Sequence, residues 1–236
     1  MPFEGRAEGI NPGTVAMIII ATVFATAYGV RLYDRLQVWH AQYRQEGKRR
    51  RARRSERGAD RSELTTERLS IRVMRKSDVQ ALHVMLSDEV VMRWQSEGPN
   101  QRLAETKADM AAMLKDDGRQ CWMIFEEKGP AIGWISIAHQ QDGLQHIGYM
   151  LATEARGRGI ATEALDALLD HSFRFFGARR IQAGTDPENL ASIRLLERLG
   201  FTREGHFRKH RSTHNGVRDS LLYAILREEW QQRSAG

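Results

Sequence analysis

"EARGRGIATEAL", residues 154–165, sets Arg156, Gly157, Arg158 and Gly159 in consecutive positions between an apolar run and a helical one. Upstream, "LQHIGYML" (144–151) carries β-branched and aromatic residues and predicts a strand. Downstream, Ile160, Ala161, Ala164, Leu165, Leu168, Leu169, Phe173 and Phe176 recur at spacings of three and four, the apolar stripe of a helix of about four turns. The stretch is therefore a strand-to-helix turn. There the first helical N–H groups lack intrahelical partners and carry the positive end of the helix dipole. Two residues without Cβ let oxygens approach those amides, and two arginines add charge, so the turn fits an anion, best a phosphate. A Gly-x-Gly turn alone also serves simply to turn. A nucleotide P-loop lacks its Lys-Ser/Thr pair here, and a dinucleotide fold would want a glycine where Thr162 stands.

The chain has 236 residues, 41% of them hydrophobic, enough for one domain and an appendage. A single cysteine, Cys121, excludes a disulfide framework and a cysteine-rich metal site, and its place in "CWMIF" fits a core residue. The pI near 9.8 invites a nucleic-acid reading. However, residues 1–62 hold 12 Lys and Arg against 6 Asp and Glu, and the remaining 24 of each sign cancel. The whole excess is N-terminal, where no aromatic residue interleaves between positions 44 and 68, so nucleic acid is a weak expectation.

After a tail, residues 1–12, Gly13–Val30 runs 18 residues without a charge, roughly 27 Å as a helix. Residues 13–33 are expected to form a transmembrane helix, followed by a basic linker, 34–62, containing "KRRRARR". The positive-inside rule would place the rest of the chain in the cytoplasm. A cleaved export signal, a buried helix, or an upstream start that adds untranslated residues compete with this reading, the last leaving a soluble cytoplasmic protein.

From residue 63 to 236 the pattern is that of a mixed α/β sheet. "LSIRVM" (69–74), "CWMIFEE", "AIGWISIAH", "LQHIGYML" and "RRIQAG" (179–184) read as strands. Helices are expected from Asp78 through Met85, over 104–115, after the glycine turn, and from Asn189, which is placed to cap Leu190–Leu199. A last hairpin, "FTREGHFRKH" with "RDSLLYAILREEW", turns at Asn215-Gly216. Antiparallel strands followed by a crossover unit give the mixed topology.

"GYMLATEARGRGIATEALDAL", "DPENLASIRLLERLGFTREG" and "DSLLYAILREEW", with the opening "LTTERLSIRVMRKSDVQAL", resemble the GNAT superfamily of acetyl-CoA-dependent N-acetyltransferases, closest to the Rim-type group that acetylates ribosomal-protein N-termini. The resemblance covers about residues 64–232 and implies the GNAT α+β fold with acetyl-CoA as co-substrate. It implies that the turn Arg156, Gly157, Arg158, Gly159, Ile160 and Ala161 wraps the coenzyme pyrophosphate. Met150 and Leu151, on a strand splayed from its neighbour, would hydrogen-bond the pantetheine arm, and Asn189 would face that arm near the sulfur.

Many relatives carry a catalytic Tyr where Leu196 stands, so Ser192, the Rim-type alternative, is the expected proton donor. The carboxylate some members place near Arg211 is missing. His146 is the candidate base, since an imidazole of ordinary pKa near 6.5 takes a proton at neutral pH. His206, His210 and His214 lie in a hairpin, where a spacing of four does not gather them on one face, so no metal is expected. An α-amine, with pKa near 7.8 against about 10.4 for Lys, costs about 3.5 kcal/mol less to hold neutral at pH 7, which favours a protein N-terminus as the amine substrate. A small amine such as a polyamine or aminoglycoside, or a non-catalytic acyl-CoA-binding module, are the alternatives; a homodimer is compatible with either.

Overall fold

The alternating runs pair into one eight-stranded sheet in a computed structural model that describes residues 63–126, 129–140 and 143–235. The tail 1–12, the expected span 13–33 and the basic linker lie outside the described residues. Among the described residues, no helix is long and apolar enough to cross a membrane. The chain divides between Ala59 and Asp60.

β1 (Glu63–Thr65) and β2 (Leu69–Val73) open the sheet. Three helices follow: α1 (Val79–Leu86), α2 (Glu89–Met92) and α3 (Leu103–Lys115). β3 (Arg119–Glu126), β4 (Ala131–His139) and β5 (Leu144–Leu151) then form an antiparallel meander. The glycine turn leads into α4 (Ile160–Phe175), which crosses over to β6 (Arg180–Thr185), parallel to β5. α5 (Leu190–Arg198) precedes the hairpin of β7 (Thr202–Thr213) and β8 (Gly216–Leu226), and α6 (Arg227–Ala235) follows. The sheet order is β1-β2-β3-β4-β5-β6-β8-β7, with β5–β6 its one parallel pair among the described strands. The expected mixed α/β sheet is therefore observed.

Period-two alternation sends successive side chains to opposite faces. Trp122 and Ile124 of β3, Ile135 of β4 and Ile147 of β5 join Ile160, Leu165, Leu168 and Leu169 of α4 and Leu196 of α5 in one buried cluster. Their neighbours Met123, Trp134 and Met150 pack instead with Leu82, Met85, Met92 and Met110 from the first three helices. β5 thus turns Ile147, Tyr149 and Leu151 toward α4, and His146, Gly148 and Met150 toward α1–α3.

Three elements differ from the sequence expectation. The last strand stops at Leu226, and "REEW" begins α6: the Leu226 N–H donates to Glu229 Oε2 at 2.8 Å, and Trp230 stacks on Phe173. α2 is a single turn, too short to show a period, and is capped by Asp88, which accepts from the amides of Val90 and Val91. Asp78 lies just before α1, in a short 3-10 turn, and there grips Arg72 through two hydrogen bonds.

Leu165 is fully buried, so Leu165→Ala should lower the unfolding free energy by about 2–5 kcal/mol, read from urea denaturation. Burial raises the Cys121 thiol to about 11, so a disulfide-exchange reagent should label it only after denaturation.

Candidate active site

β5 and β6 are in register at Leu144↔Arg180, Gln145↔Ile181 and His146↔Gln182, and their pairing ends there. Both strands continue: β5 to Leu151 and β6 to Thr185. The result is a gap that opens toward the glycine turn. Ala152 donates to Ile132 O, and Gln140 to Leu144 O, which fixes the even-numbered residues of β5 as those bonded to β4. The amides of Tyr149 and Leu151 therefore face the gap. Met150, expected to serve the coenzyme arm by its backbone, has its amide on the β4 side and its side chain in the Met-rich core.

At the mouth of the gap, Gly157 and Gly159 have φ of +74° and +80°, left-handed values that a side chain resists. A Cβ on Gly157 would meet no protein atom within 4 Å. The concavity is thus open, and the first amides of α4, those of Ile160 and Ala161, point into it. Arg68 braces the turn by donating to Arg158 O at 3.0 Å while gripping Glu163. Burial raises the Glu163 carboxyl, and hydrogen bonds from Thr66 and Arg68 more than reverse the shift. Arg158 makes a two-pronged ion pair with Glu126 at 2.7 and 2.9 Å. Of the two arginines in the turn, Arg156 makes the weaker contacts, 3.3 Å bonds to Leu151 O, and its charge also acts on Asp88.

Ser192 and Asn189 stand on the α4 side of the gap. Asn189 Oδ1 caps α5 by accepting from the Ser192 N–H at 3.1 Å. The Ser192 hydroxyl lies 2.5 Å from the Tyr149 hydroxyl. Burial raises Tyr149 to about 12, with the Ser192 bond pulling the other way. Sequence reading missed Tyr149, although its place two residues from Ile147, on the same face of the strand, was the available signal. Leu196, where a Tyr was sought, is buried core.

His146 sits on the opposite face, at the last paired position. Its Nε2 would lie 3.9 Å from a Cβ on Gly184, so the missing side chain there leaves it room. Burial lowers its pKa, and Arg119 and Arg211 add to the effect, leaving a neutral imidazole at pH 7. On the same side, the segment after α2 is tied to the β7–β8 hairpin. Arg211 donates to Ser96 Oγ at 2.7 Å, the His214 N–H to Ser96 O at 2.9 Å, and Asn215 Nδ2 to Arg93 O at 3.0 Å. A pocket of about 250 Å³ lies there, lined by Arg93, Trp94, Asp186, Glu188, Asn215 and Arg218 among others. The three hairpin histidines go separate ways: His206 to Asp219, His210 against Phe207, and His214 to Asn215.

A parted parallel pair, a glycine turn at its mouth and donors across it suit a phosphorylated thioester coenzyme. Residues 68–202 match the family model described as an acetyltransferase (GNAT) domain. The chain belongs to this GNAT family. It resembles an uncharacterized N-acetyltransferase, YnaD, of Bacillus subtilis, at 32% identity over 71% of this chain and 98% of the relative. The [ribosomal protein uS5]-alanine N-acetyltransferase of Escherichia coli is 33% identical over 36% of this chain and 44% of its own length. The structure of spermidine N-acetyltransferase from Vibrio cholerae, in complex with CoA and spermine, superposes with a TM-score of 0.64 at 20% identity, covering 70% and 99% of the two chains. This GNAT protein is an acetyl-CoA-dependent N-acetyltransferase of a Rim-type group, which sets aside the non-catalytic alternative. Among the described residues no cluster of metal-ligating side chains occurs.

Replacing Gly159 by Val forces a β-branched residue into the left-handed region and fills the turn. Acetyl-CoA affinity should fall at least tenfold by calorimetry, with the circular dichroism spectrum retained.

Proposed function

We propose that the chain acetylates the free α-amine of a polypeptide by direct attack on the acetyl-CoA thioester. What supports this reading is the base: His146 stands at the last paired position of β5 and β6, where the gap begins, with the missing side chain of Gly184 leaving its ring room. His146 has a lowered pKa and so accepts a proton readily only from an amine already close to neutrality, which an α-amine is and a lysine is not. Arg156, the amides of Gly157, Arg158, Gly159, Ile160 and Ala161, and the dipole of α4 would hold the pyrophosphate. The gap-facing amides of Tyr149 and Leu151 would hold the pantetheine arm and polarise the thioester carbonyl. Asn189 would flank the arm near the sulfur.

The two faces of β5 then divide the chemistry. The amine enters on the α1–α3 side, and its nitrogen bonds the carbonyl carbon while His146 takes its proton, directly or through water. The C–S bond breaks toward the other face, where Tyr149 and Ser192 meet the sulfur. A phenol with a pKa of about 12 is a weaker acid than a thiol near 8.5, so the pair stabilises the developing thiolate by hydrogen bonding, and solvent supplies the thiol's final proton. Ser192 orients the Tyr149 hydroxyl.

Tyr149→Phe should lower kcat about a hundredfold with acetyl-CoA binding intact, and Ser192→Ala should cost less; the reverse order would make the serine the principal donor. The kcat profile should show an acid limb with a midpoint below 6.5, because protonating His146 removes the base, and that limb should vanish in His146→Gln. Turnover on a peptide whose only primary amine is its N-terminus, against the same peptide with a blocked terminus and a lysine, tests the acceptor class.

We also propose that residues 13–33 tether the enzyme to a membrane with the catalytic unit on the cytoplasmic side, on the strength of the uncharged run and the basic residues after it. Full-length protein should sediment with membranes and resist extraction by high salt; a soluble full-length chain would overturn the tether.

A further inference from the structure

"DPEN" (186–189) follows β6 and puts two carboxylates, Asp186 and Glu188, in the wall of the pocket, where unpaired they would attract a cationic substrate. The geometry says otherwise. Arg218 donates through Nε to Asp186 Oδ2 at 2.9 Å and through its terminal nitrogen to Asp186 Oδ1 at 3.1 Å, and that terminal nitrogen lies 2.9 Å from Glu188 Oε2. The Glu188 N–H adds a bond to Asp186 Oδ1 at 2.8 Å. Asp186 is 8% exposed, so its carboxylate is saturated and out of solvent. Burial raises its pKa, and the bonds from Arg218 and Glu188 bring it below the usual range.

The rest of the pocket is also set against a cation. The Arg93 guanidinium lies 4.8 Å from the centre of the Trp94 ring, on the aromatic surface that would otherwise attract an ammonium. Arg211 stands directly across the β7–β8 hairpin from Arg218, and its charge acts on both Asp186 and His146. Two guanidinium groups, Arg93 and Arg218, line the pocket with two carboxylates, and Arg218 engages both carboxylates. The distal ammonium of a diamine would have to displace Arg218 from charge-assisted bonds to be neutralised. A peptide backbone is uncharged and needs no counter-charge from the pocket, so the engaged carboxylates do not exclude it.

Resting on the reading of this cleft as the acceptor's side, we infer that Arg218 is a specificity-determining residue. By neutralising Asp186 and Glu188 it restricts the enzyme to amines that carry no second positive charge near the reacting nitrogen. Removing its charge releases a carboxylate pair at one end of a pocket and opens the site to diamines and polyamines.

The test uses the full-length chain, acetyl-CoA, and four acceptors at one pH and low salt: butylamine, 1,4-diaminobutane, spermidine, and an uncharged peptide with a free N-terminus. In the wild type, kcat/KM for 1,4-diaminobutane should not exceed that for butylamine; where these amines are not turned over, the same ratio is read from their inhibition of peptide acetylation. Arg218→Gln should raise the diamine-to-monoamine ratio at least tenfold, with a parallel gain for spermidine. Adding Asp186→Asn should abolish the gain. An unchanged ratio in Arg218→Gln, or a wild-type preference for the diamine of tenfold or more, overturns the inference. Acetyl-CoA binding reports whether the variant is folded; if it is not, the wild-type ratio decides. Failure of the peptide while small amines react would sink the α-amine reading and leave the Arg218 result standing.

Discussion

The parting of β5 from β6 after His146 is the constraint from which the rest of the site follows. A parallel pair that stayed in register to Leu151 would satisfy its own amides and leave nothing for a ligand. Because the pairing stops at Gln182, two backbone donors on β5 face a gap instead of a strand. The gap is stable because both walls are anchored away from it. β5 is fully paired with β4 along its other edge, β6 with β8, and α4 and α5 cover one face with a contiguous apolar cluster. The fold thus carries unpaired main-chain groups where a coenzyme can use them.

Charge is arranged by the same economy of pairing. Three arginines near the site have internal partners: Arg158 with Glu126, Arg68 with Glu163, Arg218 with Asp186. Each ion pair is partly solvated, so its contribution to stability is small, and its effect is to fix geometry. Arg68 and Arg158 hold the glycine turn in shape, and Arg156 beside them reaches back to Leu151 O. Across the sheet, burial lowers the pKa of His146, and Arg119 and Arg211 add to the effect. The hairpin arginine at 211, where some relatives place a carboxylate, instead ties the hairpin to Ser96 in the segment after α2.

Much of this was legible in the linear chain. The α4 stripe, the strand before it, the glycine turn and the Asn189 cap are local features, and the motifs spanning 150–200 led directly to the family. The last helix was read as strand because "AILREEW" continues an apolar run, and its helical start depends on the reach from Leu226 to Glu229 and on Trp230 finding Phe173. Tyr149 was passed over because its partner, Ser192, is 43 residues away in the chain and 2.5 Å away in space.

The sequence by itself determined the family, most of the elements and their order, and the position of the glycine turn, since each rests on residues within one or two helical turns of each other. Only the tertiary structure decided which amides of β5 face the gap, that Arg158 pairs with Glu126 while Arg156 reaches Leu151 O, that Tyr149 joins Ser192, and that the two acids of "DPEN" are paired with Arg218. Those outcomes depend on strand register and on ion pairs between residues 32 positions apart. Pairing of that kind is set when the sheet closes, and no local pattern of residues encodes it.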